Sequence, residues 1–290
     1  MKILAIDVGG TFIKSAMIES EKCITPLERI PTPKEGTKQF LDAICALYSS
    51  HPEAEGIALS MPGILNAETG FMYTGGALYF IQNFDLAAAI RERCDGVKVS
   101  VANDAKAGAL AELELGSLKD ATNAVMLVVG TGFGGAVIID RKVLSGSHRF
   151  AGEFSFMTAF TAERQKKMWG KMGAGYMCEL CGDAENTEEV FNRAEAGDRK
   201  ALAAIRKFCR QCAVMISNIQ CVADPDCVAI GGAVSSRALF INEMAKAVRK
   251  HQEDMGYIMF GMPPVEIKAC AWHDNTVGAW LHFMKQQEKR

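Results

Sequence analysis

No apolar run in this 290-residue chain approaches the roughly 20 residues that a membrane-spanning helix needs, and the N-terminus lacks a signal-peptide pattern. Neither a membrane span nor secretion is therefore expected, and the sequence reads as cytoplasmic. Positive charge is not in excess either: 32 Lys and Arg against 34 Asp and Glu leave a net charge of -2. Proteins that bind nucleic acid normally present a basic surface, so no nucleic-acid partner is expected. Two common phosphate-binding strings are missing as well, with no GxGxxG following Ile6 and no GK[ST] anywhere. Cysteine is not scarce, but disulfides are not expected in a reduced compartment. Cys45, Cys209, Cys212, Cys221 and Cys270 sit in apolar segments, where a free thiol behaves as a small hydrophobe.

What remains is a globular composition, 49% hydrophobic and 23% charged, long enough for two modest domains. Met1 to Ile6 reads as a buried strand, followed by a glycine turn and a second strand from Ile13 to Ile18. Thr37 is placed to cap a helix whose Phe40, Ile44 and Leu47 share a face. Gly56 to Met61 and Val97 to Ala102 read as strands, and Asp85 to Arg93 as a helix. Strands alternating with helices predict an α/β sheet. Gly10-Thr11 recurs as Gly130-Thr131 and Ala16-Met17-Ile18 as Ala136-Val137-Ile138, both at a spacing of 120. The pattern predicts a duplicated α/β unit with its boundary near Leu115 to Asp120. A long helix over Arg199 to Ala223, a strand over Cys227 to Ile230, a helix through Lys250 and an amphipathic helix over 276–289 complete the reading.

Three stretches carry chemistry. In Asp7-Val8-Gly9-Gly10-Thr11, glycines let the backbone approach a phosphate, while turn N–H groups and the Thr11 hydroxyl can donate to it. Asp7, at a strand end, can hold Mg²⁺ directly or through water. The plainer alternative is a hairpin with a charged rim. Gly130-Thr131-Gly132-Phe133-Gly134-Gly135 places four glycines in six residues between apolar strands, a density that close approach to a polyphosphate explains. Two such turns facing one another across a cleft would make a phosphate clamp. Val101-Ala102-Asn103-Asp104 ends a strand and opens a helix, and Asp104 there can take a proton from an alcohol. Helix capping is the alternative role for Asp104. Together the three suggest phosphoryl transfer from ATP to a sugar hydroxyl.

These motifs, with Ala151-Gly152-Glu153 and the stretch from Pro225 to Gly232, resemble in order the sugar kinases of the repressor/open-reading-frame/kinase (ROK) family. The resemblance runs from Lys2 to about Gly278. It implies the two-domain actin-like ATPase (ribonuclease H-like) fold, with duplicated βββαβαβα units. The expected domains are 1–117, completed by a C-terminal helix at about 276–290, and 118–275. By resemblance Asp104 is the general base, Asn103 and Glu153 hydrogen-bond the sugar, and Gly63 and Gly75 let substrate-side loops approach it. Asp7, Gly9, Gly10, Thr11, Thr131 and Gly132 serve the ATP phosphates, and Gly231 and Gly232 the adenosine. ATP and Mg²⁺ are the implied cofactors and a homodimer the implied assembly.

The chain departs from the family at its zinc site. Phe156 stands where many relatives have a zinc-binding His, and Cys178-x-x-Cys181 supplies only two thiols of a four-ligand site, so no structural zinc is expected. Phe156, and also Trp169, are expected to make the anomeric end of the sugar pocket apolar, which suits a second ring or an aglycone. This zinc-less pattern is similar to bacterial β-glucoside kinases. It implies phosphorylation of the 6-hydroxyl of glucose or of a glucose-headed β-glucoside. N-acetylmannosamine, fructose and allose are the alternative substrates. The rival classes are a DNA-binding repressor, an inactive sugar sensor and an actin-like ATPase with a protein partner. A repressor needs a helix-turn-helix ahead of Asp7, where no room is expected. His148 reads as a loop histidine, and Asp274, beside His273, as a helix cap.

Overall fold

Every residue of the first strand, β1 (Ile3–Val8), is buried, Asp7 included. Such a run marks a central strand covered on both faces. The computed structural model of the protein describes residues 1–160, 166–256, 261, 263–272 and 275–288. His273 and Asp274 lie outside the described residues. The chain turns at Gly9 into β2 (Phe12–Ser20), antiparallel to β1, and β3 (Cys23–Pro26) and β4 (Ile30–Pro31) both pair with β2. Helix α1 (Thr37–Ser49) buries Phe40, Leu41 and Ile44. Thr37 does not cap it. Gly36 holds the cap position, and the Thr37 hydroxyl donates instead to the Phe80 carbonyl (3.1 Å).

Strand β5 (Gly56–Met61) then runs parallel to β1, and β6 (Leu65–Asn66), β7 (Phe71–Thr74) and β8 (Gln82–Asp85) form a small antiparallel sheet. Asp85 caps α2 (Leu86–Arg93) by accepting from the Ala88 N–H (2.9 Å). After it come β9 (Lys98–Asn103), parallel to β5, and α3 (Asp104–Leu115). The main sheet has the order β3-β2-β1-β5-β9.

The second half repeats this plan. Strands β10 (Ala124–Val129), β11 (Phe133–Ile139) and β12 (Lys142–Val143) are antiparallel neighbours. A ribbon of β13 (Thr158–Phe160) and β14 (Lys166–Met168), then α4 (Tyr176–Cys181) and α5 (Thr187–Glu195), precede α6 (Arg199–Ala223). The Asp198 carboxylate starts α6 by accepting from the Lys200 and Ala201 N–H groups, and a left-handed Asp224 ends it. Strand β15 (Cys227–Gly231) lies parallel to β10, and after α7 (Ala238–Asp254) β16 (Glu266–Ala269) lies parallel to β15. The order is β12-β11-β10-β15-β16, with the same strand senses as in the first sheet. The copies differ at the turn: Val8 pairs with Ile13, but Val129 with Phe133, one residue sooner.

The chain closes with α8 (Thr276–Glu288). It is not amphipathic along its length as expected, because Thr276 to Leu281 are all buried. It packs on β1, β5 and β9, and a side chain at Gly278 would overlap the Ala107 carbonyl of α3. Two compact units result. The first comprises residues 1–114, 145–150 and 274–290, and the second 115–144 and 151–273. Each has its own apolar core, built in the first around Leu4, Ile6, Phe40 and Leu59, and in the second around Phe133, Trp169, Phe208 and Phe240. Of the cysteines expected inside, Cys209, Cys212 and Cys270 are buried, whereas Cys221 lies exposed on α6.

Candidate active site

Open α/β sheets bind ligands at the carboxyl ends of their parallel strands. In the first unit, neighbouring β1, β5 and β9 carry polar residues at or next to those ends. Asp7 of β1 lies opposite Ser60 of β5, and Asn103 of β9 opposite Met61. Asp7 is only 9% exposed. Its Oδ1 accepts from Ser60 Oγ (3.0 Å) and from Asn275 Nδ2 (3.1 Å). Burial pushes the carboxyl above the ordinary aspartate value, while these hydrogen bonds and nearby Lys14 act in the opposite sense. Neither Ser60 nor Asn275 was picked out from the sequence. A lone serine in the apolar run from Gly56 to Met61 is the one signal by which sequence alone could have found either.

Beside Asp7, the turn is held from behind by Thr32, whose hydroxyl donates to the Gly9 carbonyl (2.7 Å) and whose N–H donates to the Thr11 carbonyl (3.0 Å). The N–H groups of Gly10 and Thr11 have no backbone acceptor among the described residues, and both residues are exposed. A turn with its carbonyls tied back and its N–H groups available suits an anion. One buried carboxylate next to such a turn also fits Mg²⁺, which takes one or two carboxylates together with water and substrate phosphates.

At the end of β9 the two candidate residues divide their roles. Asn103 is the helix cap: its Oδ1 accepts from the Lys106 N–H (3.1 Å), and its Nδ2 donates to the Gly63 carbonyl (3.0 Å). Asp104 is therefore not the cap. It is the first residue of α3, half-buried, with Oδ1 held by the Ala105 N–H (2.7 Å). Two strand spacings, about 10 Å, separate β9, which it follows, from β1. Gly63 has φ +99°, and a side chain there would overlap the Thr74 carbonyl, while one at Gly75 would overlap that of Leu78. The two loops thus meet backbone to backbone, and Asn103 ties them to the strand that leads into Asp104.

In the second unit the turn from Gly130 to Gly132 is braced by the segment after β14. The Ala174 N–H donates to the Gly130 carbonyl (2.8 Å), and side chains at Gly132 or Gly173 would collide with the facing backbone. Gly135 makes room for the Phe154 ring. Part of the glycine density expected to serve a polyphosphate is therefore explained by internal packing. Thr131 is exposed at the tip, and the N–H groups of Thr131 and Gly132 lack backbone acceptors among the described residues. Gly231 ends β15, and Gly232, at φ +86°, crosses over the end of β10 so closely that any side chain would overlap the Val129 carbonyl. Gly152, at φ +80°, lies against β11 and sets half-buried Glu153 at the start of a short 3-10 turn.

The two aromatic candidates part company. Phe156 is 53% exposed, but Trp169 is 2% exposed, its ring edge-on to Phe133 (4.9 Å) and Phe208 (6.4 Å). The expectation that Trp169 lines a sugar pocket is therefore corrected: it is a core residue. Cys178 and Cys181 both lie on α4, and the buried Cys181 thiol, held above its ordinary value by burial, donates to Asp183 (3.3 Å). His148 is exposed in a loop of the first unit.

Two copies of one mixed sheet, each with a phosphate-type turn between its first two strands, define the actin-like ATPase class. The ROK family model matches residues 3–279, and the chain belongs to that family. The β-glucoside kinase of Klebsiella pneumoniae is 29% identical over 258 residues, covering 83% of this chain and 84% of that protein. An N-acetyl-D-glucosamine kinase of Vibrio atlanticus is 31% identical over 276 residues, covering 84% and 88%. The crystal structure of a ROK family protein from Streptococcus pneumoniae, in complex with sucrose, superposes with a TM-score of 0.84 at 31% identity, covering the whole of both chains.

Proposed function

We propose that this ATP-dependent carbohydrate kinase phosphorylates the 6-hydroxyl of glucose or of a glucose-headed β-glucoside, with Asp104 as general base. The observation that carries the reading is the division of labour at the end of β9. Asn103 takes the capping duty and is buried, which leaves the Asp104 carboxylate half-exposed at the first turn of α3. A positioned carboxylate that accepts the hydroxyl proton accelerates phosphoryl transfer by roughly 10²- to 10⁴-fold. The rest comes from holding the reactants in line and from fixed charge. Asp7 is the residue that would hold Mg²⁺, which would supply positive charge to offset that of the phosphates. Each unit has its own turn with N–H groups available to phosphate, at Gly9–Thr11 and at Thr131–Gly132, and Gly231 and Gly232 form the adenosine turn. Asn103, Glu153 and the Gly63 and Gly75 loops are the sugar-binding residues of this reading.

The substrate class rests on Phe156. An exposed phenyl ring three residues after Glu153 offers an apolar face to a second ring or an aglycone. A β-glucoside kinase among the relatives and a relative that holds the disaccharide sucrose support this choice. A kinase for an N-acetylhexosamine is the second reading, supported by the Vibrio relative. We further read the protein as a cytoplasmic homodimer with no nucleic-acid partner, and sedimentation of the purified protein tests the dimer. The deciding experiment measures ADP release with Mg·ATP over glucose, cellobiose, gentiobiose, N-acetylglucosamine, N-acetylmannosamine, fructose and allose. Turnover on glucose or a β-glucoside that is lost in Asp104→Asn supports the reading. Preference for an N-acetylhexosamine sinks the substrate assignment, and no turnover on any sugar favours a sensor.

A further inference from the structure

We infer that Asn275, acting with Ser60, is a positioning residue that fixes the rotamer of Asp7 for Mg·ATP. The inference rests on the reading of Asp7 as the Mg²⁺ carboxylate. Its physical basis is the set of donors that surround this carboxylate. Both side-chain donors, Ser60 Oγ at 3.0 Å and Asn275 Nδ2 at 3.1 Å, reach the same oxygen, Oδ1. The Asn275 backbone N–H is a further donor to the same carboxylate. A carboxylate turns broadly about its last torsion when nothing holds it. Two side-chain donors on one oxygen, together with the backbone donor, remove that freedom in a buried site and hold the carboxylate in one orientation.

The donors are themselves well anchored. Ser60 is fully buried in β5, directly opposite Asp7. Asn275 immediately precedes α8, and its carbonyl accepts from the Ala279 N–H (2.9 Å) within the first turn. Three residues on, Gly278 seats α8 against the Ala107 carbonyl of α3, the helix that begins with Asp104. One turn of α8 therefore orients the carboxylate proposed for the metal and abuts the helix that carries the proposed base. Groups that orient a metal ligand from outside typically change metal affinity or activity by about 10- to 100-fold when removed.

The test compares Asn275→Ala, Ser60→Ala and Ser60→Thr with the unmodified protein. Two quantities are read: the Mg²⁺ concentration giving half-maximal turnover, and ATP affinity by calorimetry with and without Mg²⁺. Asn275→Ala and Ser60→Ala are expected to raise the Mg²⁺ requirement by about tenfold and to shrink the gain in ATP affinity that Mg²⁺ brings. ATP affinity without metal and the KM for sugar should stay within about twofold. Ser60→Thr keeps the hydroxyl and should restore the Mg²⁺ response. Unchanged Mg²⁺ dependence in both alanine variants overturns the inference, as does a parallel loss of metal-free ATP binding. If Asn275→Ala does not fold, the Ser60 pair decides alone. If the unmodified protein shows no Mg²⁺-dependent ATP binding, it is the assignment of Asp7 that fails.

Discussion

Asp104 and Asn103 are adjacent in sequence, but the structure gives them different work. Asp104→Asn should lower kcat by on the order of 10²- to 10⁴-fold with little change in melting temperature, since its contact with Ala105 survives the change. Steady-state kinetics beside a thermal melt checks both halves. Asn103→Ala should cost about 1 kcal/mol through the lost cap, whereas Asn103→Asp keeps the cap acceptor and loses only the donor to Gly63. Both variants should raise the KM for sugar, because the Gly63 loop loses its tether. Phe156 and Trp169 make a second contrast. Phe156→Ala should weaken β-glucosides relative to free glucose, while Trp169→Ala should cost about 3–5 kcal/mol of stability in urea titrations, as removal of a core aromatic does. The Asn-Asp pair was legible in the sequence because of where it falls, between an apolar strand and a helix. Its internal division was not, because either side chain can cap a helix. Trp169 was misread for a related reason: its neighbours Phe133 and Phe208 are far away along the chain, and only the fold brings them together.

At the level of elements, the packing of α6 against α7 includes a polar fastening. The Glu243 side chain on α7 is 7% exposed and accepts from Arg206 Nε of α6 (2.8 Å), with Lys246 Nζ at 3.0 Å. The Arg206 hydrogen bond is the main reason that its carboxyl lies below the ordinary value of 4.5. A lowered carboxylate contributes stability above its unfolded value and loses it as the pH falls. Glu243→Gln should therefore destabilise the protein at pH 7 by about 1 kcal/mol, a modest figure because half-exposed Arg206 is screened by water. The deficit should close as the pH drops below 4.5, a trend that denaturant titrations at several pH values would reveal. Much of the element plan was legible beforehand. The bounds of α6 coincide with the apolar periodicity, and the recurring glycine turns announced the repeated sheet. The first half of α8 was not. Its six consecutive buried residues alternate no polar face, and the reason, a seat between a sheet and α3, lies in residues far from it in sequence.

For the whole molecule, the consequential feature is that the first unit is built from both extremities of the sequence, with the second unit's residues between them. A variant ending at residue 272 should lose hydrogen-exchange protection in β1, β5 and β9 while keeping it in β10 and β15. It should also bind no Mg·ATP. Protection retained in β1 would show that α8 is dispensable to its unit. The bond from Asn275 to Asp7 spans a separation of 268 residues. During synthesis at about 5–20 residues per second, Asp7 leaves the ribosome tens of seconds before its partner has been made. Until then β1, β5 and β9 have no helix over the face that α8 covers, and the nascent first unit must wait, its apolar strands open to chaperones, while the second has every residue it needs to fold.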